Sequence, residues 1–159
     1  MKLHHDFPFP DPADQLTSGF WSAADRLELA IPRCARCLRW VWYPEAVCPT
    51  CAEPDPAWTA TSGRASLFTW TEVHRALLPE YADMVPYIAA IVTLEEDPSL
   101  RVVTRVVGAR ATDLEGDMPM VVTFQSIAFA GSPLRRTAPL FTPTHHGLDR
   151  GEGSARALL

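Results

Sequence analysis

Four cysteines spaced as Cys34-x2-Cys37 and Cys48-x2-Cys51 constrain this chain more than any other feature, and they are all the cysteines it has. Each C-x2-C hairpin points two thiolates at one ion. Two such knuckles complete a tetrahedral shell of four sulfurs at about 2.3 Å per bond. Protein then fills every ligand position, so no position stays open for catalysis and the metal is structural. Zinc is the expected ion, one per chain, and iron suits the same soft thiolates. Disulfides or free thiols are the competing readings. The N-terminus, MKLHHDFPFPDPADQ, has no apolar run of signal-peptide length. The longest apolar stretch, Tyr87 to Leu94, is too short to span a bilayer. A cytoplasmic location with no membrane partner is therefore expected. Thiols stay reduced there, and paired cysteines indicate metal.

The metal also has a folding task. Residues 27–58 are too few to hold themselves together by burial, and zinc contributes roughly 10–16 kcal/mol of apparent binding free energy to such a unit. Apolar residues make up 47% of the whole chain, enough for a core and against global disorder. The net charge of −5 opposes non-specific nucleic-acid binding, which needs a basic field. Thirteen arginines stand against the single Lys2, a skew that codon bias alone produces.

The chain divides into a leader with a short helix (1–29), a zinc ribbon (30–60), a β-barrel (61–145) and a tail (146–159). Residues 17–26 carry Phe20, Trp21 and Ala24 at helical spacing. Leu27 to Ile31 alternates as a strand that Pro32 closes. Glu53-Pro54-Asp55-Pro56 reads as a stiff linker. From Gly63 onward the pattern is β throughout, giving a mostly β fold. Strands are expected at Leu67–Val73, Tyr87–Leu94, Arg101–Val107, Met120–Ser126 and, shorter, Ala138–Thr142. Tyr87–Leu94 is continuously apolar, as in a strand buried on both faces. Val102, Thr104 and Val106 share one side of the next strand, and Met120, Val122 and Phe124 point inward in the fourth. Breakers separate them at Pro79 and Pro86, Glu96 to Ser99, Gly108 with Gly116-Asp117, and Gly131-Ser132-Pro133. Five strands with no long helix between them fit a small closed or partly open barrel.

Arg33, Arg36, Arg39, Trp40, Trp42 and Tyr43 surround the knuckles. One reading makes them a platform where arginines meet phosphate and an aromatic face stacks on a base. The simpler one has Trp40 and Trp42 cover the metal site and pack it against the barrel, and it carries more weight. His74 would be a general base only if it faced a pocket beside Glu72 or Asp83. His145-His146 and His4-His5 are weak metal candidates, since adjacent histidines rarely converge on one ion. No P-loop, GxGxxG, HExxH or nucleophile elbow occurs, so no catalytic residue is assigned.

These residues resemble the acyl-CoA-associated proteins with a rubredoxin-like zinc ribbon and an OB-fold, long known as a domain of unknown function. The resemblance runs from about Phe20 to Pro143. It rests on Phe20-Trp21, LAIPRCARC at 29–37, CPTC at 48–51, the strand opening at Gly63 and PYIAAIVTLEE at 86–96. Val106-Val107-Gly108, GDMPMVV at 116–122 and PLFTP at 139–143 complete it. In that family a glycine usually follows the second cysteine of each knuckle; Leu38 and Ala52 stand here, and the turn must form without glycine's freedom. The family's glycine in the turn after the second barrel strand is replaced by Asp97-Pro98-Ser99.

The resemblance implies a five-stranded OB-fold barrel and a non-catalytic accessory subunit. Its partner would be a thiolase-fold enzyme, such as a thiolase, acyltransferase or retro-aldolase, acting on acyl-CoA. A CoA thioester is the implied shared ligand, with Arg33, Arg36 and Arg39 near a CoA phosphate or the partner surface, beside Trp40, Trp42 and Tyr43. Two other readings compete. A zinc ribbon on an OB-fold also serves as a single-stranded nucleic-acid module. A free-standing enzyme would use His74 or Asp83 in acid–base work on a thioester.

Overall fold

Alternating side chains and one glycine-opened turn close the C-terminal half of the chain into a barrel. The computed structural model describes residues 10–11, 13–128 and 135–144. Helix α1 (Ser18–Asp25) is followed by β1 (Ala30–Arg33) and β2 (Ala57–Ala60), then by β3 (Arg64–Val73), β4 (Tyr87–Leu94), β5 (Arg101–Val106), β6 (Pro119–Ala128) and β7 (Arg135–Pro143). Two short 3-10 turns, Pro79–Met84 and Ala111–Asp113, lie in the β3–β4 and β5–β6 connections. The barrel order is β3-β4-β5-β7-β6. It closes where Arg64, Ala65 and Ser66 pair with Val121, Met120 and Pro119. The fold is thus mostly β, with one short helix, the ribbon and a closed five-stranded OB-fold barrel. No helix among the described residues is long and apolar enough to cross a membrane.

The inner face follows the two-residue period of a strand. Leu67, Ile88, Val92, Leu94, Val102, Val106, Met120 and Phe141 form one buried cluster, and Val122 and Phe124 pack on it half-buried. Leu29 and Ile31 belong to the same cluster, so ribbon and barrel share a core. Strand β4 differs from expectation. Ile88, Ala90, Val92 and Leu94 are buried, but Tyr87, Ala89, Ile91 and Thr93 are only half-buried. Its second face lies on the outside of the barrel, where the Arg105 guanidinium lies 5.1 Å from the Tyr87 ring centre. A bulge between Leu67 and Thr69 shifts the alternation so that Trp70 packs on the core, while Phe68 faces outward at 46% exposure. The Arg101 guanidinium lies 3.8 Å from the centre of its ring. Such bulges bend a strand around a small barrel.

Three other expectations shift. Leu27 sits at φ 62° in the turn leaving α1, so β1 begins at Ala30, and Pro32 lies within β1 opposite Trp58. The short strand β2 was not expected; its AWTA carries too little alternation to register. Strand β7 runs nine residues, with Pro139 opposite Phe124. Proline is tolerated there because that residue faces β5, and β5 pairs β7 only through Val106 and Phe141. The predicted breaker Gly131-Ser132-Pro133, the tail 146–159, His4-His5 and His145-His146 lie outside the described residues.

Candidate metal centre and its surroundings

The two knuckles are built to the same plan. In the first, the Cys34 N–H donates to the Arg39 carbonyl at 2.9 Å and the Leu38 N–H to the Cys34 carbonyl at 3.0 Å. In the second, the Cys48 N–H donates to the Glu53 carbonyl at 2.8 Å and the Ala52 N–H to the Cys48 carbonyl at 2.9 Å. Leu38 and Ala52 close these turns in the left-handed region, at φ 59° and 58°. They are the two positions where the resemblance led us to expect glycine.

The knuckles bring all four sulfurs within 4.8 Å of one another. Cys34 Sγ lies 3.5 Å from Cys51 Sγ, and Cys37 Sγ lies 3.6 Å from Cys48 Sγ. A disulfide needs about 2.05 Å, and all four cysteines are free. A tetrahedron with zinc–sulfur bonds near 2.3 Å has sulfur–sulfur edges of about 3.8 Å. The cluster has that size and a four-thiolate donor set, and it fits a structural zinc. The Thr50 backbone N–H draws the Cys48 thiol down to about 6 against the cost of burial. The Cys37 N–H lowers Cys34 likewise. At Cys51 the Glu53 N–H acts downward, but burial and the three neighbouring sulfurs outweigh it and push the thiol up to about 12. Four thiolates this close need a cation between them.

Val41, 1% exposed, packs with Cys34 and Cys48. Trp40 and Trp42 instead pack on the core shared with the barrel. The expected lid is thus one residue off: extended residues alternate faces, which puts Val41 on the sulfurs and its neighbours on the barrel side. The three arginines each find a neighbour in the chain. Arg33 Nε donates to the Leu38 carbonyl at 2.9 Å, and its guanidinium lies 5.0 Å from the Trp40 ring centre. Arg36 reaches Glu53 across the two knuckles at 3.8 Å. Arg39 contributes to holding the Asp97 carboxyl below its ordinary range, after the hydroxyl and N–H of Ser99. Arg36 remains 67% exposed at its side chain, and Tyr43 is 59% exposed.

His74 Nε2 lies 3.0 Å from Glu72 Oε2, but the pair stands on the surface with 70% of the His74 side chain exposed. Asp83 is exposed as well. Sequence reasoning named Phe20, Trp21, Trp42 and Tyr43 without bringing them together. They line one apolar groove of about 280 Å³, with Val103 and Pro139 supplying the barrel side. The aromatic pairs at 20–21 and 42–43 were the available signal; their convergence depends on how α1 docks.

Fold and site together define a zinc-ribbon protein with an OB-fold barrel. The family model described as the ChsH2 rubredoxin-like zinc ribbon domain matches residues 21–57, and that of the ChsH2 C-terminal OB-fold domain matches residues 58–125. The chain belongs to this ChsH2 family. Among solved structures, it is similar to a chain described as Ltp2-ChsH2(DUF35) aldolase, with a TM-score of 0.71 and 27% identity, covering 84% of this chain and 98% of that one. A DUF35-family protein of unknown function from Sulfolobus solfataricus shares the fold at a TM-score of 0.52 and 10% identity, over 82% of this chain and 87% of that one. No curated protein matches.

Proposed function

We propose that this chain is a non-catalytic accessory subunit of an acyl-CoA-processing complex, and that it partners a thiolase-fold enzyme such as a thiolase, acyltransferase or retro-aldolase. One observation carries the reading: the chain spans 98% of its counterpart in an Ltp2-ChsH2 aldolase at 27% identity. Among the described residues the chemistry points the same way. The one convergent set of titratable groups is a closed four-sulfur site, and His74 with Glu72 faces solvent rather than a cavity. Catalysis then belongs to the partner, and this chain orders the complex or helps close it over the CoA ester. A cytoplasmic setting, where thiols stay reduced, suits this role.

In such a complex Arg36 and Arg39 are the exposed cations of the ribbon, and the contact of Arg36 to Glu53 is long, at 3.8 Å. Arg36 is the group we assign to a CoA phosphate or to the partner surface.

The test is affinity purification of the tagged chain from its native lysate, followed by native mass spectrometry. A stoichiometric complex with a thiolase-fold subunit, and one zinc per small chain, is the expected result. A lone zinc-loaded monomer, or one bringing down RNA, rejects the proposal. Arg36→Glu is expected to weaken complex formation or CoA affinity, and no change in either removes Arg36 from the site.

A further inference from the structure

We propose that the aromatic groove between α1, residues 42–44 and the barrel is a docking site for the chain's own leader, with the rings of Phe7 and Phe9 as the inserted groups. This does not rest on the accessory-subunit reading.

The groove is apolar and partly open. Phe20 packs edge-on to Trp21 with ring centres 5.1 Å apart, and Trp42 stacks on Tyr43 at 4.9 Å. Pro44 and Pro139 add rigid apolar walls, and Thr17 marks the end nearest the leader. Tyr43 and Val103 on its rim are 59% and 61% exposed. Aromatic surface of this kind is what a folded chain in water covers when an apolar segment is within reach.

Such a segment is tethered beside it. Two successive hydrogen-bonded turns lead into α1: the Asp14 N–H donates to the Asp11 carbonyl, and the Thr17 N–H to the Asp14 carbonyl, each at 3.2 Å. Asp14 also accepts the Thr17 hydroxyl at 2.6 Å and the Leu16 N–H at 3.0 Å, which fixes where the leader departs. Each such turn keeps its end Cα atoms within about 7 Å, so Asp11 stays within roughly 14 Å of the groove's Thr17 edge. Phe9 and Phe7 lie two and four residues upstream of Asp11, which adds at most about 7 and 14 Å of reach.

The leader's sequence suits the site. Phe7-Pro8-Phe9-Pro10-Asp11-Pro12 alternates proline with other residues. Proline favours the extended left-handed helix that loses little entropy on binding. Proline-rich segments of this kind dock in grooves walled by aromatic rings. A short tether raises the effective concentration, so a contact too weak between separate molecules holds within one chain.

The test places benzoylphenylalanine at position 9 of the full-length, zinc-loaded chain and maps the photo-crosslinks by mass spectrometry, using a mixture of isotopically light and heavy protein. Crosslinks to Trp21, Trp42, Tyr43 or Pro139 within single chains are expected. Crosslinks that miss the groove, or that form only between light and heavy chains, overturn the proposal; the latter would make a second copy the occupant. The Phe7→Ser/Phe9→Ser chain gives an independent measurement. Acrylamide quenching of its tryptophan fluorescence should rise relative to the parent, because Trp21 and Trp42 lose their cover. Unchanged quenching overturns the proposal, as does protection of the groove that arrives only with a co-purified partner.

Discussion

Leu38 and Ala52 hold the same left-handed corner in the two knuckles, at φ 59° and 58°, and each donates its N–H to the carbonyl of its knuckle's first cysteine. The backbone conformation is set by the need to aim two thiolates at one point, whatever residue stands at the corner. A side chain in that region costs about 1–2 kcal/mol. Glycine avoids the clash but gives up roughly 0.5–1 kcal/mol of chain entropy.

Leu38→Gly and Ala52→Gly should therefore each stabilise the zinc-loaded chain by about 0.5–1 kcal/mol. Urea denaturation with excess zinc would show this as a higher midpoint at unchanged slope. A lower midpoint for both would mean that the corner is not left-handed in solution.

Metal removal should act beyond the ribbon. Leu29 and Ile31 belong to the core that includes Leu67 and Phe141, so loosening the knuckles withdraws β1 from the barrel wall. A strong chelator is expected to expose Trp40 and Trp42, which pack on that shared core, and to lower the thermal midpoint of the whole chain. Near-ultraviolet circular dichroism with and without chelator checks this. Cys48→Ser should mimic the effect and bind zinc at least tenfold more weakly, because it removes the thiolate drawn down to about 6. Unchanged spectra after confirmed zinc loss would mean the ribbon stands without metal.

The metal centre was legible because its chemistry is local: two C-x2-C pairs fix four ligands whatever surrounds them. The inner faces of β5 and β6 were legible through their alternation, and Val102, Val106 and Met120 are buried as that pattern requires. The misreadings arose where tertiary context decides. Tyr87–Leu94 is apolar at nearly every position, and only the curvature of the barrel shows that Ala89 and Ile91 face outward. Strand β2 exists because Trp58 pairs with Pro32 and lies against Gly19 of α1. No periodicity within Ala57–Ala60 announces that. The grooved surface around Trp42 likewise depends on packing between three segments distant in sequence.

Gly63 opens the barrel at φ 71°, and a Cβ there would run into Cγ1 of Val122. The Val122 N–H also donates to the Gly63 carbonyl at 2.8 Å, so the two residues cannot separate without breaking the closure between β3 and β6. Gly63→Ala combines an unfavourable φ with overpacking and should cost about 2–4 kcal/mol. The double variant Gly63→Ala/Val122→Ala relieves the overpacking but leaves the backbone strain, and it loses Val122's own packing. Equilibrium unfolding of the two single variants and the double should therefore give a coupling of about 1 kcal/mol or more. Strict additivity would place Val122 away from this turn.

Asp97 makes the β4–β5 turn without glycine. Its Oδ1 accepts the Ser99 N–H at 2.8 Å and the Ser99 hydroxyl at 2.7 Å, while its carbonyl accepts the Leu100 N–H at 2.9 Å. The Ser99 hydroxyl, the Ser99 N–H and then the Arg39 charge hold its carboxyl below the ordinary value of 3.8. A carboxyl depressed in the folded chain contributes stability that is present above its unfolded value and is lost as pH falls through the folded one. Asp97→Asn keeps an acceptor for Ser99 and removes the charge. The parent should therefore be more stable than Asp97→Asn at pH 6, with the gap closing below about pH 4. Comparing the two proteins at each pH cancels the loss of zinc in acid that both share. The carboxyl is half-buried and its hydrogen bonds lie at the surface, so solvent screening keeps the gap small, within about 1 kcal/mol. A gap that persists undiminished at pH 3 would mean that turn geometry rather than ionisation accounts for the contribution of Asp97.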